Sequence, residues 1–320
     1  MFSLFFKPIL LLLTVMLSLA ACTSESPSVL KVGTSVWPGY EPLYLARASG
    51  LWEPQSINII EFNSASEVMR AFRTHSVDVA ALTLDEAISL IADKPDTRII
   101  MGTDFSAGGD VVIAQPGIKT SEQLKGKRVG VESTAVGGYM LARFLEVNQL
   151  ALSDIKIVFM AVDRHKEAFS QQEVDAVVTF EPIKTQLLKE GGRPLFSSND
   201  IPGEVLDVLV TRQDVIQKKA IQLQALTNGW FKSLSIIKEQ RELALLKMAP
   251  RLGISTQEMD TAMQGLKLLD REDNQQLLKP EKAAIHDAVK KVEKLMLSNG
   301  LLAKPVFGVE HISSQFVDKK

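Results

Sequence analysis

Four short stretches of this sequence hold residue types that can recognise a small molecule. In the first, Ser35, Trp37 and Tyr40 surround a Pro38-Gly39 turn. Pro fixes its own φ and Gly accepts φ > 0, so a loop built on them holds a rigid shape. Two aromatic side chains on such a loop form a wall for a planar or polar solute; the competing reading is that they pack the loop onto its domain. Thr83, Asp85 and Glu86 follow in TLDEA, Ser133, Thr134 and Gly137 in ESTAVGG, and Thr179 and Glu181 in TFEP. Each of these three stretches stands between a strand and a helix, where free backbone N–H groups favour an acceptor or an anion. Thr83, Ser133 and Thr179 serve equally well as helix caps, and Glu181 suits a helix dipole. Neither Trp37 nor Glu181 is needed as a cap, which makes them the foremost ligand contacts.

Binding, rather than catalysis, is the chemistry these residues offer. The four histidines, His75, His165, His286 and His311, are scattered, with no second His or carboxylate at metal-ligand spacing. No GxSxG elbow, P-loop or dinucleotide fingerprint is present. No catalytic residue, cofactor or metal is therefore expected. Asp85, Glu86 and Glu181 are acidic, and the same motifs offer no Arg or Lys that clearly points inward. A sulfonate or nitrate normally calls for a cationic clamp or several N–H donors, with carboxylates kept away. A neutral or amine-bearing solute stacked on Trp37 and bonded to a carboxylate fits better, and an aminopyrimidine meets both requirements. Helix N-termini alone remain a route to an anion.

The elements that must position these residues alternate short apolar runs with amphipathic stretches, the mark of an α/β chain built on mostly parallel sheets. VLKVGT, INIIEF, VDVAAL and TRIIMGT read as strands of a first unit, and KRVGVE, IKIVFM and VDAVVTF as strands of a second. GGDVVIAQPG (108–117) reads as the crossing between them and EVLDVLVT (204–211) as the return. After Asp214 the pattern becomes helical without strands, with Trp230 and Phe231 placed in the core. Thr120 with Gln123, and Ser255 with Glu258, have capping-box spacing. A last helix runs from near Pro280 to Asn299-Gly300. The chain has 320 residues, 46% hydrophobic and 23% charged, with net charge −2. It carries no basic stripe of the kind nucleic acid requires.

TSVWPGYEPLYLA, VDVAALTLDEAI, LKGKRVGVESTAVGGYML and VDAVVTFEPIKTQL, in that order, resemble motifs of the nitrate/sulfonate/taurine-type solute-binding proteins of ABC importers. That group also includes binders of thiamine-pyrimidine precursors. The resemblance covers roughly Val29 to Thr211. It implies a two-lobed periplasmic binding protein fold of the type II kind, with lobe 1 from 29–109 and 211–320 and lobe 2 from 110–210. A small solute would be captured between the lobes by a monomer and presented to a membrane permease and its ATPase. Two alternatives stand beside this. One is a sensor of the same fold that signals to a membrane kinase or cyclase. The other is an enzyme of pyrimidine-precursor synthesis, disfavoured because that enzyme's cysteine-rich motif is missing.

Residues 1–21 read as a signal peptide: Lys7 is followed by an apolar run too short for a spanning helix, which needs about 20 residues. The single cysteine, Cys22, follows Leu19-Ala20-Ala21, which resembles a bacterial lipobox. Residues 22–28 would then be a lipidated tether, placing the protein on the periplasmic side of a membrane, held by lipid alone. Cys22→Ser should leave the protein unlipidated, and either uncleaved or freely soluble. Membrane retention of a cleaved Cys22→Ser protein in cell fractionation would overturn this expectation.

Overall fold

The computed structural model describes residues 29–53, 55–132, 136–279 and 284–318. Among the described residues eleven strands fall in two sheets. The first contains β1 (Leu30–Thr34), β2 (Ile57–Glu61), β3 (Val79–Thr83), β4 (Thr97–Ser106), β10 (Leu206–Arg212) and β11 (Leu266–Leu268). The second contains β5 (Asp110–Ala114), β6 (Arg128–Val131), β7 (Lys156–Phe159), β8 (Ala176–Phe180) and β9 (Arg193–Ser197). Their orders, β11-β4-β10-β3-β1-β2 and β7-β6-β8-β5-β9, share one plan. In each sheet three parallel strands form one half, and antiparallel strands complete the other. β3, β5 and β10 are buried at every position, as expected of apolar strands covered on both faces.

Three sequence expectations need correction. GGDVVIAQPG is not merely a crossing: Asp110–Ala114 is an inner strand of the second sheet, antiparallel to β8 and β9. EVLDVLVT likewise supplies β10, an inner strand of the first sheet, so the chain is back in that sheet by Leu206. Apolar runs flanked by turns look the same whether they cross or pair. The helical C-terminal part also contributes a strand, the short edge β11. The crossings themselves are the brief segments 107–109 and 198–205. They are tied together where Ser106 Oγ and Ser198 Oγ share a hydrogen bond of 2.8 Å and Gly108 N–H donates to Ser198 Oγ at 2.7 Å.

Other local signals hold as read. Thr120 N–H donates to the Gln123 side chain at 3.2 Å, and Ser255 N–H to Glu258 at 2.8 Å. The helix Ala65–Arg73 buries Val68, Ala71 and Phe72. The helix Ala220–Glu239 buries Leu223, Leu226 and Trp230, whose indole N–H donates to Leu269 O at 3.2 Å. Gly229 lets that helix sit against Trp52, whose ring a Cβ would meet at 2.5 Å. The final helix, Ile285–Ser298, ends at Asn299-Gly300 with Gly300 at φ 69°, while its expected start at Pro280 lies outside the described residues. Among the described residues no helix is long and apolar enough to cross a membrane.

A buried side chain helps to fasten the helical part to the first sheet. Asn274, on the helix Arg271–Leu278, accepts from Gly102 N–H at 2.7 Å and donates to Gly102 O at 2.9 Å. It thus acts as a strand neighbour for the middle of β4. Removing it strands a buried N–H and a buried carbonyl, each costing about 1–3 kcal/mol. Asn274→Ala should therefore lower unfolding stability by about 2–6 kcal/mol in a denaturant titration. A change within about 0.5 kcal/mol, typical of an ordinary surface site, would contradict this reading.

Candidate functional site

Ligands in open α/β sheets gather at the carboxyl ends of parallel strands. Both sheets turn that edge toward a shared cavity of about 30 Å3, room for roughly two waters. From the first lobe come Ser35 and Trp37 after β1, and Thr83 and Glu86 at the end of β3. From the second come Glu132 and Val136 after β6, and Phe180 at the end of β8. Asp110, the first residue of β5, and Asp207, the second of β10, join them because these strands run antiparallel and begin at this same edge. In register, Thr83, Asp207 and Asp104 form a row across β3, β10 and β4, while Asp110 stands opposite Phe180.

The opening loop supplies the wall. Pro38–Tyr40 forms a single 3-10 turn, and Trp37 is 5% exposed. Its indole N–H donates to Asp104 Oδ1 at 3.3 Å. Its ring meets Phe180 of the other lobe edge-on, with centroids 5.8 Å apart and planes at 83°. Two glycines make room for it. A Cβ on Gly39 would run into Asp104 Oδ2 and Trp37 Nε1, and one on Gly109 would meet the indole at 2.7 Å. Gly39 is thus fixed by close approach, since its φ is not positive. Tyr40 donates its hydroxyl to Asp207 Oδ1.

Carboxyl groups dominate the remainder. Glu86 Oε2 accepts from Thr83 N–H at 2.9 Å, and Oε1 from Val136 N–H across the lobes at 3.3 Å. Burial first, and Asp85 second, push the Glu86 carboxyl up to about 8. Burial likewise raises Asp104 and Asp110 to about 7 and carries Asp207 well above the carboxylate range. Glu132, also raised by burial, accepts from Ser66 Oγ of the first lobe at 2.7 Å. None of the described residues lining the cavity is lysine or arginine. No group of three or more His, Cys, Asp or Glu among the described residues is arranged to hold a metal ion.

Of the residues singled out from sequence, Ser35, Trp37, Tyr40, Thr83 and Glu86 line the cavity together. Asp85 is half-buried beside it and does not line it. Gly137 is a packing residue, where a Cβ would meet Glu132 O at 2.8 Å. Thr179, buried, shares a 3.2 Å hydrogen bond with His165 Nδ1. Glu181 is fully buried, and its carboxylate is occupied within its own lobe. It accepts from Thr185 N–H at 3.1 Å and Thr185 Oγ1 at 3.0 Å, and pairs with Lys184 at 3.2 Å. Its neighbour Phe180 lines the cavity in its place. Ser133, Thr134 and Cys22 lie outside the described residues. Asp104, Asp110, Glu132 and Asp207 were missed, although a lone acid at the mouth of an apolar run (DVVIA, LDVLV) is a usable signal.

Two lobes of matched topology around an acid-lined cavity define a protein of the periplasmic-binding-protein fold. The chain belongs to the NMT1-like family, whose model matches residues 23–246. A putative aliphatic sulfonates-binding protein of Escherichia coli K12 is 22% identical over 241 residues, 73% of this chain and 75% of the relative. Among solved structures, the alkanesulfonate-binding protein SsuA of Xanthomonas axonopodis pv. citri, bound to MOPS, superposes with a TM-score of 0.75 at 17% identity. That match covers 91% of this chain and 99% of the other. The desulfurization enzyme DszB shares the fold with a TM-score of 0.64 at 16% identity, over 90% and 98% of the two chains.

The raised carboxyls make stability depend on pH. The folded chain keeps these protons after the unfolded chain has released them, so stability falls as pH climbs from the ordinary carboxylate range to the raised values. His165, which burial pushes down to about 4, acts in the opposite sense, but only below its ordinary range. From about pH 6.5, above which His165 no longer contributes, up to the raised values near 7 and 8, the carboxyls therefore set the sign. The melting midpoint should drop across this interval, by roughly 2–4 °C per kcal/mol lost. Glu86→Gln should flatten the drop, and a midpoint that rises with pH in the wild type would overturn the assignment.

Proposed function

We propose that the protein is the solute-binding component of an ABC importer, capturing a small amine-bearing or nitrogen-rich planar solute between its lobes. The observation that carries this is the cavity itself: Glu86, Asp110, Glu132 and Asp207 converge on it, Trp37, Tyr40 and Phe180 wall it, and none of the described residues lining it is a cation. A protonated amine there gains cation–π attraction of about 0.5–2 kcal/mol from an aromatic face. Hydrogen bonds to charged groups add about 1.5–3 kcal/mol each. An aminopyrimidine offers both an aromatic face and donors for carboxylates. A bare sulfonate or nitrate brings no donor to these carboxyl oxygens and finds no cation among the described lining residues. The names of the relatives point to sulfonates, and the carboxyl lining supports the amine reading over that one.

Capture fits the contacts made between lobes. Trp37 with Phe180, Glu86 with Val136, and Ser66 with Glu132 join the two across the cavity. A pyrimidine ring needs more space than this closed form leaves, so entry requires the lobes to part and close again on the solute. The permease and ATPase, and a lipid anchor at Cys22, belong to the same proposal and rest on the sequence.

A thermal-shift screen of aminopyrimidines, amines, taurine, alkanesulfonates and nitrate tests it. A ligand at 100 times its Kd adds about 2.7 kcal/mol. Aminopyrimidines or amines should stabilise the protein, and Trp37→Ala should weaken their binding by about 0.5–2 kcal/mol in calorimetry. Stabilisation by sulfonates or nitrate alone would return the solute to the anion class.

A further inference from the structure

The helix Val136–Val147 starts at the cavity, and the N–H of its first residue meets Glu86 Oε1 of the other lobe. The second oxygen of the same carboxyl takes Thr83 N–H at the start of the helix Leu84–Asp93. One side chain therefore serves a helix start in each lobe, where N–H groups have no partner within the helix. Such starts favour an anion through their N–H groups and the helix dipole. Here that place is held by the chain's own carboxyl, which is 2% exposed. Beside it, the Thr83 side chain lies on the cavity wall next to the Asp85 and Glu86 carboxyls, to which it is a hydrogen-bond partner.

We propose that Glu86 sets the charge selectivity of the site by standing where a solute's anionic group would accept the Val136 N–H, which excludes anions and admits neutral or cationic solutes. The inference rests on the interlobe reading above and deepens it. Exclusion has two parts. The carboxyl occupies the donor, and it adds acid to a cavity that already holds Asp110, Glu132 and Asp207.

Two substitutions in the full chain separate the parts. Glu86→Ala frees both the N–H and the space, while Glu86→Gln keeps shape and acceptor but cannot ionise, so the comparison is made near pH 9, above the raised value of about 8, where Glu86 carries its charge. Calorimetry with inorganic sulfate and with methanesulfonate should show at least about tenfold tighter binding for Glu86→Ala than for wild type, as charge-assisted N–H bonds become available. Glu86→Gln should fall between the two. Cooperative melting of each variant establishes that it is folded. If Glu86→Ala is not folded, any gain in Glu86→Gln over wild type supports the proposal. Anion binding in a folded variant no tighter than in wild type overturns it, as does wild-type binding equal to that of Glu86→Ala. The solute class is judged separately. Absence of amine or aminopyrimidine binding in wild type defeats that reading while a gain of sulfate by Glu86→Ala still upholds the role of Glu86.

Discussion

Carboxyl groups held away from water between two lobes are the constraint on which the rest of this structure depends. A buried carboxyl is costly unless it is hydrogen-bonded, neutralised or protonated. The chain meets that demand with donors drawn from several places. The Trp37 indole serves Asp104, the Tyr40 hydroxyl serves Asp207, and backbone N–H groups at two helix starts serve Glu86. Each donor must arrive at a fixed position, which explains the stiff opening turn and the glycines that clear space around Trp37. The aromatic wall is thus also the support for the acids behind it.

The opening loop is held from its outer side as well. Glu41, at the start of the helix Glu41–Ala48, is fully buried and paired with Arg251. The Arg251 guanidinium also lies over the Tyr44 ring, 3.6 Å from its centroid. Tyr44 OH in turn shares a hydrogen bond with Thr34 Oγ1, at the end of β1. Arg251 comes from the helical part of the chain, far from the loop in sequence. That part, fastened to β4 by Asn274, therefore braces the site without lining it.

Most of the architecture was legible because α/β units announce themselves locally. Alternating apolar runs and capping boxes depend on neighbours in sequence, and Ser255 with Glu258 or Val68 with Phe72 needed nothing more. The two-lobed class followed from the resemblance of four motifs. Legibility failed where pairing decides identity. DVVIA and LDVLV are apolar runs whose partners lie in the sheet they enter, so their opening acids, Asp110 and Asp207, could not be placed at the cavity. Glu181 shows the reverse failure. Its position at a strand end was read correctly, but Lys184 and Thr185, one helical turn on, claim its carboxylate. Spacing gives the address of a side chain and not the direction it takes.

The hydroxyl pair of Ser106 and Ser198 has a mechanical meaning. Two crossings bonded side by side would act as one pivot and guide any lobe motion along a single swing. Asp110 and Asp207 stand at the starts of their strands, close to those crossings in the chain, and so sit on short lever arms. Glu86, Ser66 and Glu132 reach their contacts from elements farther along the chain and sit on long ones. Opening by a small angle would thus part the bolts between lobes while leaving the deep acids nearly in place. A solute would find its anchor already assembled before the jaws around it shut.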